Sequence, residues 1–374
     1  MNGIYIHIPF CRQKCNYCNF FSIASLRYNS DFIKALLIEI KLQKEYFSHE
    51  KIKTIYFGGG TPSMLSIGEI NSILNAINDS FSIEKNTEIT IEANPDDLSV
   101  EKIIELKNSS INRISVGIQS FNDDDLHYLN RKHNSEQAKN SIPLLKDFGF
   151  ENISIDLIYG IPTLTEKNWD KNLDIFFSME IPHLSAYSLT VEKKTILDNL
   201  IRKGKAENIS ESQSIQHFKH LINRMEEKNY IHYEISNFSK PDCYSKHNSI
   251  YWTGGKYLGL GPSAHSFNGN SRQWNVANLS KYIQSLKNEN VPAEIEILNK
   301  NRKYNEYIMT SLRTIWGCKE DIIKEKFGEN YLNNFLKTSE KHLQNRTLIF
   351  QNEKYILTKS GKLFADGIAS DFFI

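Results

Sequence analysis

Three cysteines near the start of the chain carry the clearest chemical signal. The run Cys11-Arg-Gln-Lys-Cys15-Asn-Tyr-Cys18 follows a strand-like segment and Pro9, which cannot continue a central strand. Structural zinc takes four protein ligands, and no fourth cysteine or histidine stands at finger spacing. An iron–sulfur cluster held by three thiolates keeps one iron open to another ligand. Three inert buried thiols are a further reading, which the polar residues between the cysteines disfavour. The spacing therefore favours a cluster with ligand-exchange chemistry.

Glycines and polar residues also stand where successive strand-like segments end. They are Gly58-Gly59-Gly60-Thr61, Glu92, Gln119, Asp156 and Thr190. In barrels of parallel strands, functional residues gather at the C-terminal strand ends, and glycines let backbone groups approach a ligand closely. Each feature has a plainer interpretation. A triple glycine is typical of a turn, and Glu92 is compatible with capping backbone N–H groups. Gln119, Asp156 and also Arg131 are compatible with a solvated rim network. We favour ligand contact because the set accompanies the cysteine loop.

Short β-branched or aromatic runs alternate with longer amphipathic runs in the first half of the chain, which is the pattern of βα units. The predicted strands are 3–8, 53–57, 88–92, 113–118, 152–158 and 183–190. The predicted helices are 31–47, with Ser30 as N-cap, 66–81, 100–108, 135–148 and 166–179. Successive strands should be parallel with right-handed crossovers.

The second half of the chain is less regular. A helix over 210–228 and a strand over 230–236 precede an aromatic-rich stretch that ends near residue 267. The tail combines a helix over 305–315, a hairpin of 348–350 with 355–357, and a helix over 360–370, an order typical of winged-helix domains. We therefore predict an α/β fold with six parallel strands in the region 1–268 and a smaller α+β, winged-helix-like domain over 269–374.

Composition narrows the class of protein. The chain has 374 residues and a net charge of +1, so a broad electrostatic footprint for nucleic acid or an anionic membrane is absent. The sequence contains no run of about 18 apolar residues, so we expect no membrane-spanning helix. It also lacks the basic segment with which a leader peptide begins. Five cysteines, three of them clustered, suit a reducing compartment. We expect a cytoplasmic protein.

The spacing Cys-x3-Cys-x2-Cys with an aromatic residue before the last cysteine resembles the radical S-adenosylmethionine (SAM) superfamily. The resemblance implies a [4Fe–4S] cluster on Cys11, Cys15 and Cys18, whose open iron is chelated by SAM. It also implies a full or partial (β/α) barrel, and the six predicted strands match a partial (β/α)6 barrel within residues 1–268. The remaining site residues that it implies are Tyr5 and Tyr17 beside the cluster and SAM, Gly59, Gly60, Thr61 and Glu92 at SAM, and Gln119, Arg131 and Asp156 where a second SAM binds in some members. Whether one or two SAM molecules bind is left open.

Longer motifs narrow the resemblance. Tyr-Ile-His-Ile-Pro-Phe-Cys11, Gly-Gly-Gly-Thr-Pro-Ser, Ser-Val-Gly-Ile-Gln-Ser-Phe-Asn and Asp-Leu-Ile-Tyr-Gly-Ile-Pro are similar to motifs of the oxygen-independent coproporphyrinogen III dehydrogenase family. That family contains dehydrogenases and a branch of haem chaperones. Three departures favour the chaperones: Phe20 replaces the extra cysteine of the dehydrogenases, only ten residues precede Cys11, and His247-Asn-Ser-Ile-Tyr-Trp252 matches the chaperones' haem motif.

The haem motif implies that His247 is an axial iron ligand. A neutral imidazole is a good ligand for iron, and Tyr251 and Trp252 offer flat apolar surface to a porphyrin. A histidine beside aromatic residues is, however, more often packed or solvated than ligating. Any of the remaining histidines, including His7, His232 and His265, could supply a second axial ligand or have only a structural role.

The resemblance thus implies a haem chaperone that binds haem and, under control of its cluster and SAM, delivers it to acceptors such as respiratory haem proteins. An electron donor is a further implied partner, and docking to a membrane-bound acceptor would leave no spanning segment. The alternative is the dehydrogenase, which oxidatively decarboxylates two propionates of coproporphyrinogen III. A nucleic-acid-binding module, suggested only by the winged tail, is disfavoured because acidic residues lie among the tail's lysines.

Overall fold

Six parallel strands form the centre of one large sheet in the computed structural model, which describes residues 1–374. They are β1 (Asn2–Ile8), β2 (Ile52–Gly59), β3 (Ile83–Ala93), β4 (Arg113–Gln119), β5 (Ile153–Tyr159) and β6 (His183–Ser188). They lie in sequence order, and each neighbouring pair is parallel. The predicted (β/α)6 arrangement is confirmed. The sixth strand ends at Ser188, so the prediction that Thr190 ends it is wrong.

Six helices connect these strands; the alternating pattern predicted five of them and not the short helix Asp123–Tyr128. They are α1 (Asn29–Leu42), α2 (Ile67–Ser80), α3 (Val100–Lys107), α4 (Asp123–Tyr128), α5 (Ser135–Asp147) and α6 (Glu166–Ser178). A capping box begins α2, because the Ser66 hydroxyl accepts the Glu69 N–H while the Glu69 carboxylate accepts the Ser66 N–H. The prediction of Ser30 as an N-cap is wrong: Tyr28 holds that position in α1 and makes no side-chain cap.

The two faces of the central strands differ in polarity. Residues that face each other across neighbouring strands lie on the same side of the sheet. One side carries the pairs Tyr5 with Tyr56, Glu92 with Ser115 and Asp156 with Ser185. We call this side the polar face. The other side carries the fully buried residues Ile4, Ile6, Ile8, Phe57, Ile91, Ile114, Val116, Ile118, Ile153, Ile155, Leu157 and Leu184, which belong to the main hydrophobic core.

Further strands extend the sheet at both edges. After α7 (Ile196–Arg202) and α8 (Glu211–Glu227) come β7 (Ile231–Glu234) and β8 (Asn237–Ser239). Strand β8 pairs antiparallel with β6, and β7 pairs antiparallel with β8 at the edge of the sheet. Beyond β1 lie α9 (Lys246–Trp252), β9 (Lys256–Leu260), β10 (His265–Phe267), β11 (Ser271–Asn275), α10 (Leu279–Lys287) and β12 (Ala293–Ile297). Strand β9 pairs parallel with β1, and β10 to β12 continue antiparallel.

The tail forms a second, smaller core. It comprises α11 (Lys300–Leu312), α12 (Glu320–Phe327), α13 (Glu329–Gln344), β13 (Leu348–Gln351), β14 (Lys354–Leu357), α14 (Lys359–Lys362) and α15 (Ala365–Asp371). Three helices followed by an antiparallel hairpin give the predicted winged-helix-like order. The last predicted helix is divided into α14 and α15. The 15 buried residues of this core run from Tyr304 to Phe372.

The predicted domain division at residue 268 stays a prediction. Strands β11 and β12 lie after it and still belong to the large sheet, while the second core begins at Tyr304. Among the helices, none combines the length and the apolar character needed to cross a bilayer.

Candidate functional site

The cysteine loop follows β1 and is held by the chain on both sides of it. The Cys11 N–H donates to the Ile23 carbonyl at 3.0 Å. Arg12 forms an ion pair of 2.8 Å with the buried carboxylate of Asp97, in the turn after β3. Farther along the loop, the Asn16 N–H donates to the Leu129 carbonyl at 3.1 Å. These bonds fix the loop at the C-terminal ends of β1 and β3, where the sequence predicts the site.

Arg131 connects the cysteine loop to the neighbouring strand ends. Its guanidinium donates to the Cys15 sulfur at 3.3 Å, to Asn94 Oδ1 at 2.6 Å and to the Gly117 carbonyl at 2.8 Å. Gln119, which ends β4 with a positive φ of 66°, brings its side chain to Gly117 as well. Arg131 therefore contacts the cysteine loop and two strand ends instead of forming a solvated rim network.

The glycine run at the end of β2 lies against the loop that carries Cys11. A Cβ on Gly60 would stand 2.5 Å from the Phe10 carbonyl oxygen, and Gly59 has a φ of 107°, where glycine is favoured. The backbone N–H groups of Gly60 and Thr61 donate to the Ile8 and Phe10 carbonyls, each at 2.7 Å. The two segments can approach this closely only because glycine has no side chain. An ordinary surface turn would not need glycine for this reason.

Glu92 lies on the polar face directly below the glycine run. Its carboxylate accepts the Gly59 N–H at 3.2 Å and the Tyr56 hydroxyl at 2.8 Å. Burial, and secondarily the Asp156 carboxylate, raise the pKa of Glu92 to about 7. Burial also raises the pKa of Asp156 to about 6, against hydrogen bonds from Ser185 and Ser115 and the positive charge of Arg113. A cationic ligand would favour the ionised forms of both carboxylates.

The two tyrosines predicted to flank the cluster and SAM occupy different places. Tyr5 lies on the polar face, where its hydroxyl is 3.2 Å from His7 Nδ1 and its ring stacks on Tyr56 at 6.1 Å. Tyr17 packs against the main core beside Arg131, and burial raises the pKa of its phenol. Tyr17 thus borders the cysteine loop, while Tyr5 lies deeper, toward the middle of β1.

His247 lies apart from this site, in α9, and is 1 % exposed. Its Nδ1 is 2.7 Å from Thr54 Oγ1 and its Nε2 is 2.9 Å from the Tyr251 hydroxyl. Its ring also stacks on Tyr56 at 5.0 Å. Burial lowers the pKa of His247 to about 3, so the imidazole is neutral. Because both ring nitrogens are engaged, iron ligation by His247 requires one of these hydrogen bonds to break.

Sequence reasoning missed several residues of the site. Asn94 joins its two halves, since it accepts from Arg131 and its amide donates to Thr61 Oγ1 at 3.3 Å. Tyr56 lies between Glu92 and His247, and Arg113 is 2 % exposed at the start of β4. The available signal was the alternation of polar and apolar residues along parallel strands, which ordinarily read as continuous apolar runs.

The residues of the cysteine loop fit a cluster. Cys11, Cys15 and Cys18 are free and half-buried on one loop, beside a guanidinium that can donate to a sulfur ligand. A single metal ion requires at least three cysteine, histidine or acidic side chains around one point, and the structure contains no such group. A cubane cluster instead binds each thiolate to a different iron, so it accommodates more widely separated sulfurs.

Comparison with known proteins agrees with this arrangement. A model of the Radical SAM superfamily matches residues 5–175, which implies a [4Fe–4S] cluster and SAM. The chain is 34% identical to "Heme chaperone HemW" of Bacillus subtilis, over 100% of this chain and 99% of that protein. It is also 34% identical to "Heme chaperone HemW" of Lactococcus lactis, over 100% of this chain and 97% of that protein.

A solved structure shares the fold over the whole chain. The coproporphyrinogen III oxidase HemN of Escherichia coli, described as a radical SAM enzyme, superposes with a TM-score of 0.85. It is 21% identical, and the match covers 100% of this chain and 90% of that one. Full-length identity above 30% to the curated proteins, a three-cysteine loop at the strand ends and this shared fold lead to one assignment. The chain belongs to the HemW family of radical SAM proteins.

Proposed function

We propose that this protein is a haem chaperone, which binds haem and delivers it to acceptor haem proteins, among them respiratory ones. The observation that carries the proposal is the full-length similarity to two curated haem chaperones at 34% identity. Similarity to the coproporphyrinogen III oxidase supports the fold alone, at 21% identity. The dehydrogenase alternative also needs a further cysteine, where this chain has Phe20.

We further propose roles for the residues around the cysteine loop. When bound, the cluster supplies an open iron for SAM and a source of one electron. Cys11, Cys15 and Cys18 hold it. Arg131 positions Cys15 and spreads positive charge toward its sulfur, which is 3.3 Å away.

The glycine run and the polar face hold SAM in this proposal. Gly59, Gly60 and Thr61 offer backbone groups to its amino end. Glu92 accepts the Gly59 N–H and so fixes the run, while its negative charge complements the cationic ligand. Gln119, at the end of β4, and Asp156, within β5, contact a second SAM if the family resemblance extends to that site, so the number of SAM molecules is one or two.

A reducing, cytoplasmic location is part of the proposal. Three thiolates within eight residues serve a cluster only where they are not oxidised to disulfides. The remaining partners are an electron donor and, for membrane-bound acceptors, a transient contact at the membrane surface.

Transfer of haem under control of the cluster tests the proposal. Haem-loaded, cluster-containing protein is mixed anaerobically with a haem-stripped respiratory cytochrome, and the Soret band of the acceptor is followed with and without SAM and a one-electron reductant. We expect one haem bound per chain and transfer that depends on SAM. The matched control replaces Cys11, Cys15 and Cys18 by alanine and should lose the SAM dependence. Absence of haem binding to the intact protein would contradict the proposal.

A further inference from the structure

The histidines of the chain differ sharply in their access to a ligand. The imidazole of His247 is not accessible to a ligand, since Thr54 and Tyr251 are hydrogen-bonded to its two ring nitrogens. Three histidines are exposed, His49, His127 and His265. Of these, His265 is the one whose ring contacts an aromatic ring, with centroids 6.3 Å from Trp274 and an angle of 29° between the planes. An iron-binding imidazole needs both access and orientation, and His265 combines them.

His265 belongs to an aromatic face that continues from the haem motif. We define the aromatic face as Tyr251, Tyr257, His265, Phe267 and Trp274. Tyr251 meets Tyr257 at 4.7 Å between centroids, and Tyr257 meets Phe267 at 6.0 Å. Phe267 pairs with Tyr257, and His265 pairs with Trp274, across adjacent strands, which places all four on one side of the sheet. Two groups of touching rings, Tyr251 with Tyr257 and Phe267, and His265 with Trp274, thus lie side by side on one face of the sheet.

The chemistry of this face matches a porphyrin. Phe267, Tyr257 and Trp274 are all half-buried, so their rings present apolar area to solvent. Stacking of Trp274 limits rotation of the imidazole. Arg272 stands on the same side of β11, two residues from Trp274, and its side chain is 44% exposed while it pairs with Glu306 at 2.7 Å. Its guanidinium can also donate to a propionate, which is the only charged part of haem at its edge.

We propose that haem binds on the aromatic face with His265 as an axial iron ligand, while His247 keeps its two hydrogen bonds beneath. This inference rests on the proposed function, because it takes haem as the cargo. Trp274 orients the ligand, and Tyr257 with Phe267 packs against the porphyrin. Arg272 binds a propionate. The haem motif then contributes through Tyr251, which connects the aromatic face to the inaccessible His247.

Titration with haem tests the proposal on the intact chain. Ferric haem is added to wild type, His265→Ala, His247→Ala and the control His127→Ala, and the Soret band and the electron paramagnetic resonance spectrum are recorded. We expect His265→Ala to bind haem at least about tenfold more weakly and to lose the imidazole-ligated signal. Added imidazole should restore that signal. His127→Ala should match wild type, and circular dichroism reports whether each variant is folded.

A second measurement on the wild type keeps the test independent of folding in a variant. Diethylpyrocarbonate modifies exposed imidazoles, and mass mapping with and without haem should show protection of His265 but not of His127. An unchanged spectrum in folded His265→Ala, or no protection of His265, would overturn the inference while leaving the haem chaperone in place. Loss of the imidazole-ligated signal only in folded His247→Ala would also overturn it. No haem binding by wild type would instead overturn the proposed function.

Discussion

His247 and Tyr251 are hydrogen-bonded to each other at 2.9 Å inside the structure, although both belong to the motif that resembles a haem site. Thr54, almost two hundred residues earlier in the chain, holds the other nitrogen of the ring. The motif therefore joins α9 to β2 and has a structural role in this conformation. Haem ligation by His247 stays a prediction, and it competes with these two hydrogen bonds.

Replacement of His247 by alanine should destabilise the fold. The change empties a buried site and leaves the Thr54 and Tyr251 hydroxyls without their partner, so we expect a loss of about 2–4 kcal/mol in the free energy of unfolding. The denaturant midpoint measures it. His127→Ala, an exposed histidine, should change stability by less than about 0.5 kcal/mol and serves as the control. Equal midpoints for both variants would mean that His247 is not a structural residue.

The raised pKa of Glu92 predicts a dependence of stability on pH. The folded carboxyl has a pKa of about 7, above the ordinary value of 4.5. Between these values the folded chain holds a proton that the unfolded chain has lost, so the contribution of Glu92 to stability falls as pH rises through this window. Glutamine at this position does not titrate.

The thermal stability of Glu92→Gln relative to wild type should consequently be greater at pH 8 than at pH 5. The midpoint difference, variant minus wild type, is measured at both values in the protein without SAM. Asp156→Asn removes a neighbouring charge that raises the pKa of Glu92, and should move the window to lower pH. A midpoint difference that is the same at both pH values would refute the assignment of a raised pKa.

The glycine run offers a steric test with an internal control. Gly60→Ala brings a Cβ to 2.5 Å from the Phe10 carbonyl oxygen and must displace the loop next to Cys11. We expect a destabilisation of about 1–3 kcal/mol and weaker SAM binding by equilibrium dialysis. Gly68→Ala meets nothing within 4 Å and lies in α2, so stability should stay equal or rise by up to about 1 kcal/mol. Unchanged SAM affinity in Gly60→Ala would exclude a role of this backbone in SAM binding.

Arg131 should raise the reduction potential of the cluster and support its assembly. Arg131→Gln removes the cation 3.3 Å from the Cys15 sulfur, and a more negative environment disfavours the reduced cluster. We expect a lower iron and sulfide content after reconstitution and a more negative reduction potential, followed by electron paramagnetic resonance. Lys132→Gln alters the adjacent cation, whose side chain is 49% exposed, and should leave both quantities near the wild-type values. A potential that shifts equally in the two variants would point to a general charge effect.

Local patterns in the sequence were sufficient for the six strands of the barrel and for five of its six connecting helices, but not for the short α4. Alternation of β-branched runs with amphipathic runs reports on contacts within each element, so β1 to β6 fall within a few residues of their predicted ranges. The helix start at Ser30 failed because α1 begins at Asn29 without a side-chain cap. Helix boundaries depend on packing as well as on capping residues.

The site was only partly accessible from the sequence. Cysteine spacing and glycine runs are local signals, and they placed Cys11, Gly59 and Gly60 together. The role of Asn94 depends on contacts with Arg131 and Thr61 that span more than thirty residues, so no local pattern reveals it. Burial of His247 likewise results from the packing of α9 under β2 and β3, where Glu88 accepts the His247 N–H at 3.0 Å.

One anaerobic experiment tests the haem chaperone most directly. Cluster-reconstituted protein with SAM and a one-electron reductant receives haem in one sample and coproporphyrinogen III in another, and bound haem, protoporphyrinogen and 5′-deoxyadenosine are measured. We expect one haem retained per chain and no protoporphyrinogen. Protoporphyrinogen formed in proportion to 5′-deoxyadenosine would contradict the account and identify the protein as the dehydrogenase.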